Sequence, residues 1–235
     1  MSQTRPRPRP LAVGVDLGGT WLRLAILRNG EIVRRTRRTI PISELSRFLR
    51  TQAGRRVASL VVAARGVWTP AERRAAARRL RGVAARVQVI SDAEAALLGA
   101  HDGSAGVLVL AGTGSIVLGR DERGRLARAG GLGPLLGDEG SAFWLGRQWL
   151  RATPERALTA RALARGPDAV ARVAALAPRV LAGARRGDRR ARAIVAEGQS
   201  RLAALAADVI RRLRLRRPVR VSWGGSLLAN AAYRA

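Results

Sequence analysis

Val13-Gly14-Val15-Asp16-Leu17-Gly18-Gly19-Thr20 decides how this chain is read. An apolar strand runs straight into a carboxylate, two glycines and a threonine. The glycines let backbone N–H groups approach an anion closely, and the Thr20 hydroxyl adds a donor. Asp16, held at the strand's end, is placed to organise a hydrated Mg²⁺, a cation that takes oxygen ligands and keeps most of its water. The same residues also suit a plain chain reversal, because glycine-rich turns are common.

A second copy of the arrangement follows. Val107–Ala111 is an apolar run that ends in Gly112-Thr113-Gly114-Ser115. Each turn opens a second apolar strand, Trp21–Leu27 and Ile116–Gly119, and each of these leads to a turn, at Asn29-Gly30 and at Arg123-Gly124. Both copies read as β-hairpins with a phosphate-sized loop at the first bend. The repeat points to a duplicated architecture, with two domains facing one nucleotide. The Gly-x-x-x-x-Gly-Lys-Ser/Thr loop is absent, and no Gly-x-Gly-x-x-Gly fingerprint follows a strand.

Five motifs stand in the order of one family: Asp16-Leu-Gly-Gly-Thr20, Ser91-Asp92-Ala-Glu94, Ala111-Gly-Thr-Gly-Ser115, the run Gly130–Ser141, and Trp223-Gly-Gly-Ser226. The chain resembles the N-acetylglucosamine kinase branch of the BadF/BadG/BcrA/BcrD ATPase family, within the actin, sugar kinase and heat-shock chaperone superfamily. The Gly-Asp-Glu-Gly-Ser end of the fourth motif is the most specific. This resemblance implies an α/β, two-lobed, ribonuclease-H-like actin/sugar kinase fold, with an ATP cleft between the lobes. It also implies ATP and Mg²⁺ as cofactors and phosphoryl transfer to a sugar or amino sugar.

Composition sets the limits. At 235 residues and 47% apolar content the chain can build one large or two modest domains. There is no run of 18 apolar residues and no signal-peptide pattern, so a soluble cytoplasmic protein without membrane partners is expected. Zero cysteine excludes disulfides and thiolate metal sites, and with them the iron–sulfur branch of the resembled family. The net charge of +28 invites a nucleic-acid reading. However, all 44 basic residues are arginine, which fits a GC-rich coding bias better than selection for a basic surface. No specific nucleic-acid partner is expected, and 3% aromatics leave few stacking platforms.

Along the chain, residues 1–10 read as a disordered Arg/Pro tail, 11–103 as an N-terminal lobe and 104–235 as a C-terminal lobe. The first lobe reads as strands 11–16, 21–28, 31–38, 57–64 and 86–90 with helices 43–53, 70–81 and 92–100. Thr69-Pro-Ala-Glu72 and Ser91-Asp-Ala-Glu94 both fit a capping box. Asp102-Gly103-Ser104 is the expected hinge, with His101 a surface or hinge residue. The second lobe reads as strands 106–111, 115–119 and 125–128, helix 141–150, a broken helical region over 154–215, strand 218–223 and helix 226–234.

Site roles follow from the resemblance. Asp92, at the start of a helix, takes the catalytic-base position of sugar kinases and contacts the substrate, although a dipole-complementing role would also explain it. Gly18, Gly19 and Thr20, with Gly112, Thr113, Gly114 and Ser115, clamp phosphates through backbone amides. Gly224, Gly225 and Ser226 face the adenosine, and Asp16 holds the metal. Asp138 accepts from sugar hydroxyls, with helix capping as its alternative, and Gly66 and Gly133 line the substrate site. Leu132 stands where the family often has an aromatic, and the family's sugar-contacting asparagine after strand 31–38 has no counterpart in Arg34–Pro41. By the same resemblance the second lobe is short at its C-terminus. Strand 219–223 would then expose apolar residues, favouring a homodimer or marginal stability. The alternative function is a nucleotide-binding regulatory or degenerate ATPase relative without phosphotransfer. A basic nucleic-acid-binding protein comes third.

Overall fold

A computed structural model of the chain describes all residues except 1–10, 18–21, 40–43, 54–56, 154–156, 164 and 235. The chain divides into two compact units, Met1–Ala96 and Leu97–Ala235.

Unit 1 is built on one five-stranded sheet. Strands β1 (Leu11–Leu17), β2 (Leu22–Arg28) and β3 (Glu31–Arg38) form an antiparallel meander, and β4 (Val57–Ala64) and β5 (Arg86–Ser91) add in parallel, in the order β3-β2-β1-β4-β5. The β2–β3 turn is the expected Asn29-Gly30, with both residues at positive φ (57° and 85°), as a two-residue hairpin turn requires. Strand alternation sends Val13, Val15, Leu22, Leu24 and Ile26 to one face, where they pack with Leu45 and Leu49 of helix α1 (Leu45–Ala53). Helix α2 (Pro70–Arg78) starts on the full capping box read from the sequence. Glu72 N–H donates to Thr69 Oγ1, and Thr69 N–H donates back to Glu72 Oε2. Helix α3 (Asp92–Ala100) follows β5 without a loop residue. Its capping box is only half made. Glu94 N–H donates to Ser91 Oγ, but the Glu94 carboxylate pairs with Arg73 at 2.7 Å instead of returning to the cap.

Unit 2 repeats the plan. Strands β6 (Gly106–Ala111), β7 (Ser115–Arg120) and β8 (Leu126–Gly130) form an antiparallel meander, and β9 (Val221–Gly224) pairs in parallel with β6, giving β8-β7-β6-β9. Helices α4 (Gly133–Leu136), α5 (Ala142–Ala152), α6 (Ala157–Leu163), α7 (Ala169–Ala174), α8 (Ala177–Arg185) and α9 (Arg189–Leu213) come between β8 and β9. The 25-residue α9 buries Ala191, Ile194, Leu202, Val209 and Leu213 along one face, as its apolar spacing predicts. The last helix is shorter than the sequence suggested: only α10 (Ala231–Arg234) is helical, and Leu227–Ala229 form turns. His101 is not a surface residue. It is 3% exposed, with Nε2 at 3.0 Å from the carbonyl of Val107, and a Cβ on Gly106 would lie 2.7 Å from its ring. The bare glycine backbone admits the imidazole to the interior.

Candidate active site

The Gly112–Ser115 loop joins β6 to β7 in a tight turn, with Gly112 N–H donating to the Gly114 carbonyl at 2.9 Å. The carbonyls of Gly112 and Thr113 accept from the N–H groups of Ala142 and Phe143 at 2.8 and 3.1 Å. These are first-turn amides of α5, which have no partner within their own helix. With the Gly112 and Thr113 carbonyls committed to α5, the N–H groups of Thr113 and Gly114 make no hydrogen bond among the described residues. Two free amides in a glycine turn are suited to an anion.

Gly224-Gly225-Ser226 lies against the same strand end. Leu227 N–H donates to the Ala111 carbonyl at 3.1 Å. Gly225 sits at φ +98°, and a Cβ there would come within 2.3 Å of the Ala111 oxygen, so only glycine fits. A Cβ on Gly112 would stand 3.4 Å from Ser226 Oγ. Thr113, Ser226 and Asn230 line a cavity of about 430 Å³ whose other walls include Ala174, Pro178 and Leu181, with Arg185 as its charged residue. Mostly apolar walls with a few polar groups suit a flat heterocycle carrying a phosphate chain. The helical walls carry no signal in the sequence, because alanine-rich periodicity reads the same for a core as for a pocket.

Asp138 is the most enclosed acid of the motif set. It is 6% exposed, sits at φ +61°, and its Oδ1 accepts the Ser115 N–H at 3.1 Å. Ser115 Oγ in turn donates to the Glu139 carbonyl at 2.7 Å. Burial pushes the Asp138 carboxyl above its ordinary range and the charge of Glu139 adds to this, while the Ser115 amide and Arg147 act the other way. The capping alternative for Asp138 does not hold. Ser141 caps α5, its Oγ accepting from Trp144 N–H at 3.1 Å. Gly133 opens α4 at φ +79°, beside Leu132, Leu135 and Leu136, which are exposed. A larger cavity, about 620 Å³, lies at the opposite end of β6 and holds none of the predicted site residues.

In unit 1, Gly18, Gly19 and Thr20 lie outside the described residues. Asp16 pairs across the hairpin with Arg23, its register partner, at 2.7 Å, and both side chains are substantially exposed. The pair borders a cavity of about 550 Å³ floored by Gly14, Ala25 and Ala63. Among the described residues no three metal-ligating side chains cluster. A lone carboxylate is compatible with Mg²⁺, which takes one or two protein carboxylates together with water and phosphates. Asp92, the first residue of α3, is half-buried, and its Oδ1 accepts the Ala93 N–H at 2.8 Å. Gly66 is in a turn after β4 at φ +74°, with open space around it.

Residues 13–235 match the sequence model of the BadF/BadG/BcrA/BcrD ATPase family. An N-acetylmuramic acid/N-acetylglucosamine kinase of Clostridium acetobutylicum is 43% identical over 74 residues, 32% of this chain and 24% of that protein. An N-acetyl-D-glucosamine kinase of Dictyostelium discoideum is 41% identical over 73 residues, 31% of this chain and 23% of that protein. Each match therefore spans about a quarter of the curated relative. Among solved structures, a candidate N-acetylglucosamine kinase of Chromobacterium violaceum superposes with a TM-score of 0.66 at 26% identity, covering 97% of this chain and 90% of that one. A ROK hexokinase of Thermus thermophilus gives 0.61 at 18%, covering 95% and 85%. The α/β architecture is that of the sugar kinases.

Proposed function

The chain belongs to the BadF/BadG/BcrA/BcrD ATPase family, and we propose that within it this protein is an ATP-dependent kinase that phosphorylates a hydroxyl of a sugar or amino sugar. One observation carries the reading. The donor-bearing Gly112–Ser115 loop and Gly224–Ser226 meet at the end of β6, and Thr113 and Ser226 share one cavity with apolar helical walls. The amino-sugar acceptor is favoured by the two curated relatives, both described as N-acetylglucosamine kinases.

On unit 2, the Thr113 and Gly114 amides would hold phosphate oxygens, and the cavity beyond Ser226 would take the adenosine. Fixed amides cost no reorganisation as charge moves during transfer, so lysine is not needed. Asp138 and Gly133 belong to the acceptor side. On unit 1, Asp92 would accept the proton of the attacking hydroxyl. Proton removal that comes late in a loose transition state asks little of the base, so a carboxylate suffices. Gly18, Gly19 and Thr20 would supply further phosphate donors, and Gly66 a sugar contact. Asp16 would hold Mg²⁺, which supplies charge neutralisation at the phosphates. Its carboxylate would have to exchange Arg23 for a metal-bound water.

The test is nucleotide binding without sugar, followed by ADP release with a panel of hexoses and N-acetylhexosamines. Sugar-dependent ADP release supports the kinase. Tight ATP binding with no turnover on any sugar would favour a regulatory or degenerate relative, and absence of ATP binding would overturn both.

A further inference from the structure

The carboxylate of Asp138 faces two ways. Oδ1 is committed to the Ser115 amide, the residue that closes the phosphate loop and opens β7. Oδ2 makes no hydrogen bond among the described residues and keeps some access to solvent, although the residue as a whole is only 6% exposed. The loop is shaped around this acid. A Cβ on Gly114 would lie 2.8 Å from Oδ1 and 3.0 Å from Oδ2, so the glycine lets the carboxylate lie against the turn. The adjoining contacts run the same way: Ser115 Oγ donates to the Glu139 carbonyl, and Ser141 N–H to the Asp138 carbonyl. An acceptor oxygen held in place on one side and still reachable from outside is open to a hydroxyl donor.

We propose that Asp138 is shared between the two substrates: Oδ1 holds the phosphate loop through Ser115 while Oδ2 receives a hydroxyl of the acceptor sugar, so that sugar and nucleotide bind with positive coupling. This rests on the kinase reading above and adds to it a positioning role for a residue assigned so far only to the sugar. The physical link is short. A hydroxyl donating to Oδ2 fixes the carboxylate plane, which fixes the Ser115 amide and with it the orientation of the Thr113 and Gly114 N–H groups. By linkage, whatever factor the sugar adds to ATP affinity, ATP adds to sugar affinity.

Two substitutions separate the roles. Asp138→Asn keeps an oxygen that can accept from Ser115 and tolerates the left-handed backbone. Asp138→Gly suits φ +61° but removes the acceptor. In the Gly variant, hydrogen exchange at the Ser115 amide should quicken by about tenfold or more, with Val109 and Val117 in the neighbouring strands unchanged. Its affinity for Mg·ATP without sugar should fall by a similar factor. The Asn variant should keep Ser115 protection and ATP affinity. In the native protein, saturating N-acetylglucosamine should tighten ATP by about fivefold or more, and both variants should lose this gain. Unchanged Ser115 exchange and unchanged ATP affinity in Asp138→Gly, with only sugar affinity affected, would overturn the proposal. So would an ATP affinity in the native protein that is indifferent to sugar. A native protein that binds no ATP would overturn the kinase reading itself. Ser115 exchange would then decide separately whether Asp138 holds the loop.

Discussion

The two hairpins of this protein share a strand plan, and their described residues differ in how closely they are packed. In unit 2 the turn after β6 is fixed from three sides, by the α5 amides, by Asp138 and by Leu227 N–H at the strand end. In unit 1 the corresponding strand, β1, carries Asp16 as its penultimate residue, in an exposed ion pair with Arg23. Gly14 has nothing within 4 Å of where a Cβ would stand, whereas Gly225 would collide with backbone. The unit 2 turn is thus a rigid cradle, while the described part of the unit 1 hairpin presents an open sheet face. Substitutions at Gly14, Asp16 and Arg23 should therefore spare the fold, and those around the unit 2 turn should act on binding and stability.

The largest effect falls on chemistry. Asp92→Asn should lower kcat by about 10²–10⁴-fold, as removal of a general base typically does, with ATP affinity retained. A turnover rate equal to the native one would leave Asp92 a helix-end residue and nothing more.

Next comes a glycine pair that sets the units against each other. Gly225→Ala should destabilise unit 2 by more than about 2 kcal/mol, because it adds both a clash and left-handed strain, and ATP binding should fall with it. Gly14→Ala should stay within about 0.5 kcal/mol of the native protein. Chemical denaturation of both variants checks this, and equal losses would erase the contrast.

Asp138 gives a smaller, pH-dependent effect. Burial raises its carboxyl, so the folded state holds the proton to higher pH than the unfolded chain does. The ionised form therefore costs stability at neutral pH, and that cost disappears as pH falls through the raised value. Asp138→Asn should melt at or above the native temperature at pH 7, and the difference should shrink on acidification. A gap that opens in the other direction would mean that Arg147 and the Ser115 amide outweigh burial. The smallest effect belongs to Arg23→Ala. An ion pair exposed at both ends contributes less than about 1 kcal/mol, so denaturation in low and high salt should barely separate this variant from the native protein.

What was legible in the sequence was local. The hairpins follow from apolar runs ending in glycine turns, and the Thr69 box from residues three apart. Partners distant in the chain were not legible. Glu94 leaves its capping box for Arg73, 21 residues upstream. Ser141 takes the cap that Asp138 was offered, because Asp138 turns back to Ser115, 23 residues away. His101 reads as polar and exposed until the chain folds Gly106 over its ring. For the site, glycine and acid motifs pointed to the loops, while the apolar cavity walls on α7 and α8 carry no such mark.

The chain's family is that of the BadF/BadG/BcrA/BcrD ATPases, so the central claim turns on where the phosphoryl group goes. Phosphorus-31 NMR of the native protein turning over Mg·ATP with N-acetylhexosamines and hexoses follows it directly. The account predicts a sugar phosphate formed one-for-one with ADP, and no such signal from Asp92→Asn on the same timescale. Inorganic phosphate released at the same rate with and without sugar, and no phosphorylated sugar, would contradict it.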